Sequence, residues 1–219
     1  MERIKIFILG SIAFFCTLSC GKSADEDEYI SNLPPTNKIC FVGNSLTYWG
    51  NWITLTSDSL CKNYGIGGNT CKDILNRISP IVDENPCAIF LMIGINDIRR
   101  NDNAQKIEQN IALIIKKFKH RLPHTSIYLQ SILPVNPDIS DIVSIANISK
   151  IKEINNWLAD FSKKESITYI NLYPHFCNKD DKLKPELSTE GLHLSEKGYE
   201  TWAVCLKPYL RKIREEYPF

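Results

Sequence analysis

The spacings that mark a metal site or a dinucleotide site are missing from this chain. Its eight cysteines include no C-x-x-C pair, and His120 and His124 flank Pro123, which breaks any shared helical face, so no structural metal is supported. Neither sign of charge dominates. With 26 Lys and Arg against 25 Asp and Glu, the composition excludes a polybasic nucleic-acid binder and a disordered polyanion alike. The most apolar stretch, Ile6 through Leu18, falls short of the ~20 residues that a membrane-spanning helix requires. In Gly65-Ile66-Gly67-Gly68-Asn69-Thr70 the third glycine of a dinucleotide fingerprint is replaced by Thr70. Gly43-Asn44-Ser45-Leu46-Thr47 likewise lacks the second glycine of the G-x-S-x-G elbow, which excludes an α/β-hydrolase.

What is present begins with an address. Arg3 and Lys5 precede the apolar run, and Leu18-Ser19-Cys20-Gly21 looks like a bacterial lipobox, with Thr17 where Leu is usual. Residues 1–19 are therefore expected to be a lipoprotein signal peptide, with Cys20 lipidated and the product an exported, membrane-anchored lipoprotein. Residues 20–37 carry Lys22 against Asp25, Glu26, Asp27 and Glu28 and end near Pro34-Pro35, a composition suited to an acidic tether. The folded domain is expected over 38–219. Of the six cysteines left there, Cys40 and Cys87 sit in apolar runs where unpaired thiols are common, and most of the six are expected to be free. Cys61–Cys71 is the pairing to expect if any forms.

Short apolar runs at Ile39–Val42, Cys61–Tyr64, Cys87–Ile93, Ile127–Ile132 and Ile167–Leu172 predict buried parallel strands. Between them the period becomes helical. Ile107, Ile111, Ile114 and Phe118 recur at helical spacing behind a capping pair, Asp102 and Gln105, and Ile148, Ile151, Ile154, Leu158 and Phe161 repeat the pattern. A last helix runs from Ser195 to about Tyr217, with Pro208 expected to kink or split it. The alternation predicts one three-layer α/β domain, whose ligand would sit at the carboxyl ends of the strands.

Those ends carry chemistry. Ser45 follows the first strand, Gly65–Thr70 the second, Gly94-Ile95-Asn96-Asp97 the third, and Glu190-Gly191-Leu192-His193 precedes the last helix. Singly, each has an ordinary reading as a cap, a turn or a surface histidine. Together they supply the nucleophile, base, orienting carboxylate and oxyanion donors that acyl transfer needs.

On these four blocks residues 38–219 resemble the SGNH or GDSL-type esterases and lipases. The resemblance implies a flavodoxin-like fold with a five-stranded parallel sheet between helices. It also implies a nucleophile at Ser45, a base at His193, and an orienting acid at Glu190, where the family's D-x-x-H block has Asp. The oxyanion hole falls on the Ser45 N–H, Gly68 and Asn96, and no cofactor or metal is called for. The expected activity is serine esterase hydrolysis of short-chain, chiefly acetyl, esters, with O-acetylated carbohydrate as a substrate by analogy and no nucleic-acid partner. Two other readings are a lysophospholipase or platelet-activating-factor-acetylhydrolase-like lipid acylhydrolase, and an inactive glycan-binding lipoprotein. The absence of a long insertion or amphipathic lid favours a short acyl group.

Overall fold

The computed structural model describes residues 33–219. The expected signal peptide, Cys20 as the expected lipidation site and most of the expected 20–37 tether lie outside that range. Five strands form one sheet: β1 (Thr36–Gly43), β2 (Cys61–Gly65), β3 (Pro86–Met92), β4 (Ser126–Gln130) and β5 (Thr168–Ile170), all parallel in the order β2-β1-β3-β4-β5. This is the five-stranded arrangement implied by the resemblance, with its topological switch between β1 and β3. β1 starts two residues before the expected domain boundary at Lys38. The Thr36 N–H donates to the Asn85 carbonyl (2.7 Å) and its hydroxyl to that of Glu84 (3.1 Å), which fastens the strand's start to the chain entering β3.

Helices α1 (Ser45–Tyr48) and α2 (Trp52–Thr56) follow β1, and α3 (Cys71–Asn76) and α4 (Ser79–Val82) follow β2. After β3 come α5 (Ile95–Arg99) and α6 (Ala104–Arg121), after β4 comes α7 (Ile145–Glu165), and after β5 come α8 (Tyr173–Phe176) and α9 (Glu196–Glu216). Register explains one half of the core. Phe41, Phe90 and Tyr128 are partners across β1, β3 and β4 and so project from one face of the sheet, where their rings stack at 5.0 and 4.6 Å. Trp52 of α2 continues the stack on Phe41 at 4.1 Å, and Trp202 of α9 meets Trp52 edge-on. Each such ring contributes about 1.5–3 kcal/mol through burial. The alternate residues, Val42, Ile89, Leu91 and Leu129, face the opposite side, which is covered by α3, α6 and α7, packed in that order.

Several local expectations are corrected. The cap of α6 is Asn103, whose side chain accepts from the Lys106 N–H at 2.8 Å, while Asp102 forms an ion pair with the Lys106 ammonium. Pro208 does not split α9, which runs continuously from Glu196 to Glu216. β5 stops at Ile170 because the Ser131 hydroxyl takes the N–H groups of Leu172 and Tyr173, each at 3.0 Å, and turns the chain into α8. β4 ends before Ile132, whose N–H and C=O are both taken by the buried Asn155 carboxamide. All six described cysteines are free, in line with the expectation of mostly free thiols, and Cys61 and Cys71 form no bridge. Cys61 lies against the Thr56 hydroxyl, and burial, the largest influence on it, pushes its thiol up to about 11. No described helix is long and apolar enough to cross a membrane.

Candidate active site

Three of the four blocks project from the carboxyl ends of β1, β2 and β3, and the fourth comes to the same rim from the loop before α9. Ser45 is the first residue of α1, immediately beyond β1. The helix is capped by its neighbour: the buried Asn44 carboxamide oxygen accepts from the Leu46 N–H at 3.0 Å, which leaves the Ser45 hydroxyl uncommitted to the backbone. Packing fixes α1 from below. A Cβ on Gly65 would lie 2.2 Å from the Tyr48 nitrogen, so only glycine lets the end of β2 approach this closely. The Asn63 amide nitrogen also donates toward the carbonyls of Thr47, Tyr48 and Gly50, at 2.9–3.0 Å, and holds the exit of the helix.

The imidazole arrives from the other end of the chain. His193 Nε2 lies 3.0 Å from Ser45 Oγ, across 148 residues of sequence. The joining element is α9, whose Tyr199 hydroxyl donates to the Leu46 carbonyl at 2.8 Å and so ties the helix after His193 to the helix of Ser45. On the far side of the ring, Nδ1 lies 2.6 Å from Glu190 Oε1, and the same oxygen accepts the His193 N–H at 2.9 Å. Glu190 thus reaches the ring despite its extra methylene. Gly191, at φ +85°, provides the turn that retracts it, and a Cβ there would strike the Asn136 carbonyl oxygen at 2.4 Å.

Burial is the largest influence on the Glu190 carboxyl and acts upward. Donation from the Thr189 hydroxyl, the His193 N–H and the imidazole outweighs it, and the net effect holds Glu190 below the usual carboxylate range. Trp49 covers the imidazole, ring centroids 4.5 Å apart, and remains 54% exposed.

Gly68 stands on the β2–α3 loop with φ +76° and open space where a Cβ would be. Asn96, in the first turn of α5, is 5% exposed, and its Nδ2 donates to the Asn69 carbonyl at 3.0 Å, beside Gly68. Asp97 underpins both loops. Its carboxylate takes the Cys71 N–H at the start of α3, both oxygens at 3.1 Å, while burial pushes it above the ordinary range. The structure therefore carries Ser45, Gly68, Asn96, Glu190 and His193 at one end of the sheet. Among the described residues, no three His, Cys, Asp or Glu side chains are grouped as a metal site.

Sequence reasoning missed the residues that hold these loops together. Arg77, at the end of α3, donates to Asn69 Oδ1 (2.6 Å) and to the carbonyls of Gly43 (3.1 Å) and Tyr64 (2.8 Å). Arg99 and Trp49 were also missed. No local pattern distinguishes these arginines from surface cations.

The profile of the GDSL-like Lipase/Acylhydrolase family matches residues 41–201. Platelet-activating factor acetylhydrolase IB subunit alpha2 of Rattus norvegicus is 24% identical over 187 residues, covering 82% of this chain and 79% of that protein. N-acylneuraminate cytidylyltransferase of Streptococcus agalactiae is 26% identical over 141 residues, 64% of this chain and 32% of that protein. The chain therefore spans about a third of the length of that relative. Among solved structures, a protein from Streptococcus pneumonia named as a platelet activating factor superposes with a TM-score of 0.73 at 28% identity, covering 85% of this chain and 93% of that one. The acetyl xylan esterase AlAXEase shares the fold, with a TM-score of 0.68 at 19% identity, covering 79% and 99%.

Proposed function

We propose that this chain, which belongs to the GDSL-like lipase/acylhydrolase family and is a carboxylic ester hydrolase, removes short acyl groups, acetyl above all, from O-acylated carbohydrate through a covalent acyl-enzyme. The observation that carries the mechanism is the line from Ser45 Oγ through the two nitrogens of His193 to Glu190. Ser45 Oγ attacks the ester carbonyl while His193 Nε2 takes its proton. The oxyanion is held by the N–H groups of Ser45 and Gly68 and by the Asn96 carboxamide. Collapse expels the alkoxide, which recovers the proton from His193. Water then attacks the acyl-serine by the same route and releases the carboxylic acid. Glu190 keeps Nδ1 protonated and stabilises the imidazolium.

Two observations support a short acyl group. The connection between β4 and α7 is fastened down where the Asn136 N–H donates to the Gly191 carbonyl at 2.8 Å, and no helix in it closes over Ser45. The names of both the acetylhydrolase and the acetyl xylan esterase specify acetyl, although their alcohols differ. For the alcohol, the leaving oxygen must lie beside His193, which protonates it, and Trp49 presents its exposed indole there. A flat aromatic face of this kind suits the C–H face of a sugar ring.

The lipid reading is favoured by two likenesses, the 24% identity over 82% of the chain to an enzyme named for platelet-activating factor and the 28% identity to the Streptococcus pneumonia protein. One assay separates the readings. Acetate release should be faster from acetylated xylan than from a 2-acetyl glycerophospholipid, and p-nitrophenyl acetate should turn over faster than the octanoate. A preference for octanoate would overturn the short-acyl reading, and a preference for the acetylated phospholipid would replace the sugar with a lipid.

The chain is further proposed to be membrane-anchored through Cys20. Cys20→Ala should move the protein from the membrane to the soluble fraction with ester hydrolysis unchanged. Membrane association that survives the change would reject the anchor.

A further inference from the structure

Asn96 can serve an oxyanion only in one of its two amide orientations. Its carboxamide must turn an N–H toward the substrate, and a flip by 180° about the terminal bond would present an oxygen instead and repel the developing charge. The structure holds the carboxamide from both sides. Nδ2 donates one hydrogen to the Asn69 carbonyl at 3.0 Å, and Oδ1 accepts from Arg99 Nη1 at 3.2 Å. A guanidinium has no acceptor and a carbonyl no hydrogen, so these two neighbours admit a single orientation and leave the second Nδ2 hydrogen free.

Both neighbours are themselves fixed. Asn69 is held by Arg77, and Arg99, one turn after Asn96 on α5, is half-buried and donates through Nε to the Ile142 carbonyl at 3.0 Å.

We propose that Arg99 is a positioning residue for catalysis, which locks the Asn96 carboxamide with its N–H toward the oxyanion and, by loading Oδ1 with positive charge, strengthens that N–H as a donor. This rests on the reading of Asn96 as an oxyanion donor. Polarisation along a chain of hydrogen bonds raises the strength of the terminal donor, and the interaction counts fully only when charge develops. Arg99 therefore acts on kcat and leaves substrate binding nearly alone. The bond to Ile142 also couples this donor to the β4–α7 loop, whose other end is fastened to Gly191 in the histidine turn.

The test is a double-mutant cycle on p-nitrophenyl acetate. Asn96→Ala should lower kcat by about 10²-fold, the lower end of the usual loss for an oxyanion donor. Arg99→Met should lower it by about 10–100-fold, the range expected for misplacement of a catalytic group, with KM changed less than about twofold. Arg99→Lys, which keeps a charge near Oδ1, should recover part of the loss. In the Asn96→Ala background, Arg99→Met should cost almost nothing further, because the group it positions is gone.

Wild-type kcat in Arg99→Met would overturn the proposal. So would an equal loss in both backgrounds, because a purely structural contribution does not depend on the Asn96 side chain. Wild-type kcat in Asn96→Ala would instead remove the oxyanion reading of Asn96 itself, and with it this inference.

Discussion

Ser45→Ala should eliminate turnover of p-nitrophenyl acetate, lowering kcat by about 10⁴-fold or more, the scale on which loss of a serine nucleophile registers. Its stability should stay within about 0.5 kcal/mol of wild type. The two halves of this expectation have separate causes. Chemically, Oγ is the only hydrogen-bonding group on His193 Nε2 among the described residues, at 3.0 Å, and removing it leaves the base with water alone to activate. Structurally, the hydroxyl makes no backbone hydrogen bond among the described residues, the cap of α1 belongs to Asn44, and the helix is held by Asn63 and by the Tyr199 bond to Leu46. Hydrolysis measured beside a thermal melt reads both. Wild-type turnover in Ser45→Ala would move the nucleophile elsewhere. A large drop in Tm would mean that Ser45 does more for α1 than its hydrogen bonds show.

The strands were legible because central parallel strands are buried on both faces, and such burial writes continuous apolar runs. β3, buried at every position from Pro86 to Met92, is the clearest case. β5 was overread, since Ile167 to Leu172 is apolar enough for a longer strand and its end is set by the Ser131 hydroxyl, from about forty residues earlier in the chain. The cap of α6 shows a local limit. Asp102 and Asn103 are both good caps by residue type; Asn103 takes the role, and Asp102 pairs with the Lys106 ammonium.

The site was legible for a related reason. The first and third blocks each set a polar side chain beside a glycine, the second offers a glycine N–H, and the fourth sets Glu190 and His193 around Gly191; together they form a reagent set. Its fastening was illegible because Arg77 and Arg99 act through carbonyls 34 and 43 residues away, with nothing in their own neighbourhood to distinguish them.

Glu190→Gln should lower kcat by about 10³-fold or more, less than the ~10⁴ seen when a buried triad aspartate loses its charge, because this carboxylate is 39% exposed and partly screened. The substitution is nearly isosteric. The His193 N–H and Nδ1 both point at Oε1, so the glutamine oxygen is the end they select, and the ring keeps its place while the anion vanishes. The loss is then electrostatic: nothing stabilises the imidazolium that forms as Ser45 attacks. Glu190→Asp keeps the charge, and with Gly191 in the left-handed region to let the turn adjust, it should retain much of the activity.

The pH profile supplies a second readout. The Glu190 carboxyl lies below the ordinary range, so it stays ionised through mildly acidic pH, and its contribution is lost only as pH falls through that depressed value. In Glu190→Gln no carboxylate is left to titrate at this place, so the fall in activity that comes from protonating Glu190 should be absent from its profile. A Gln variant with near-wild-type kcat would reduce the site to a Ser45–His193 dyad, with Glu190 serving only to shape the turn.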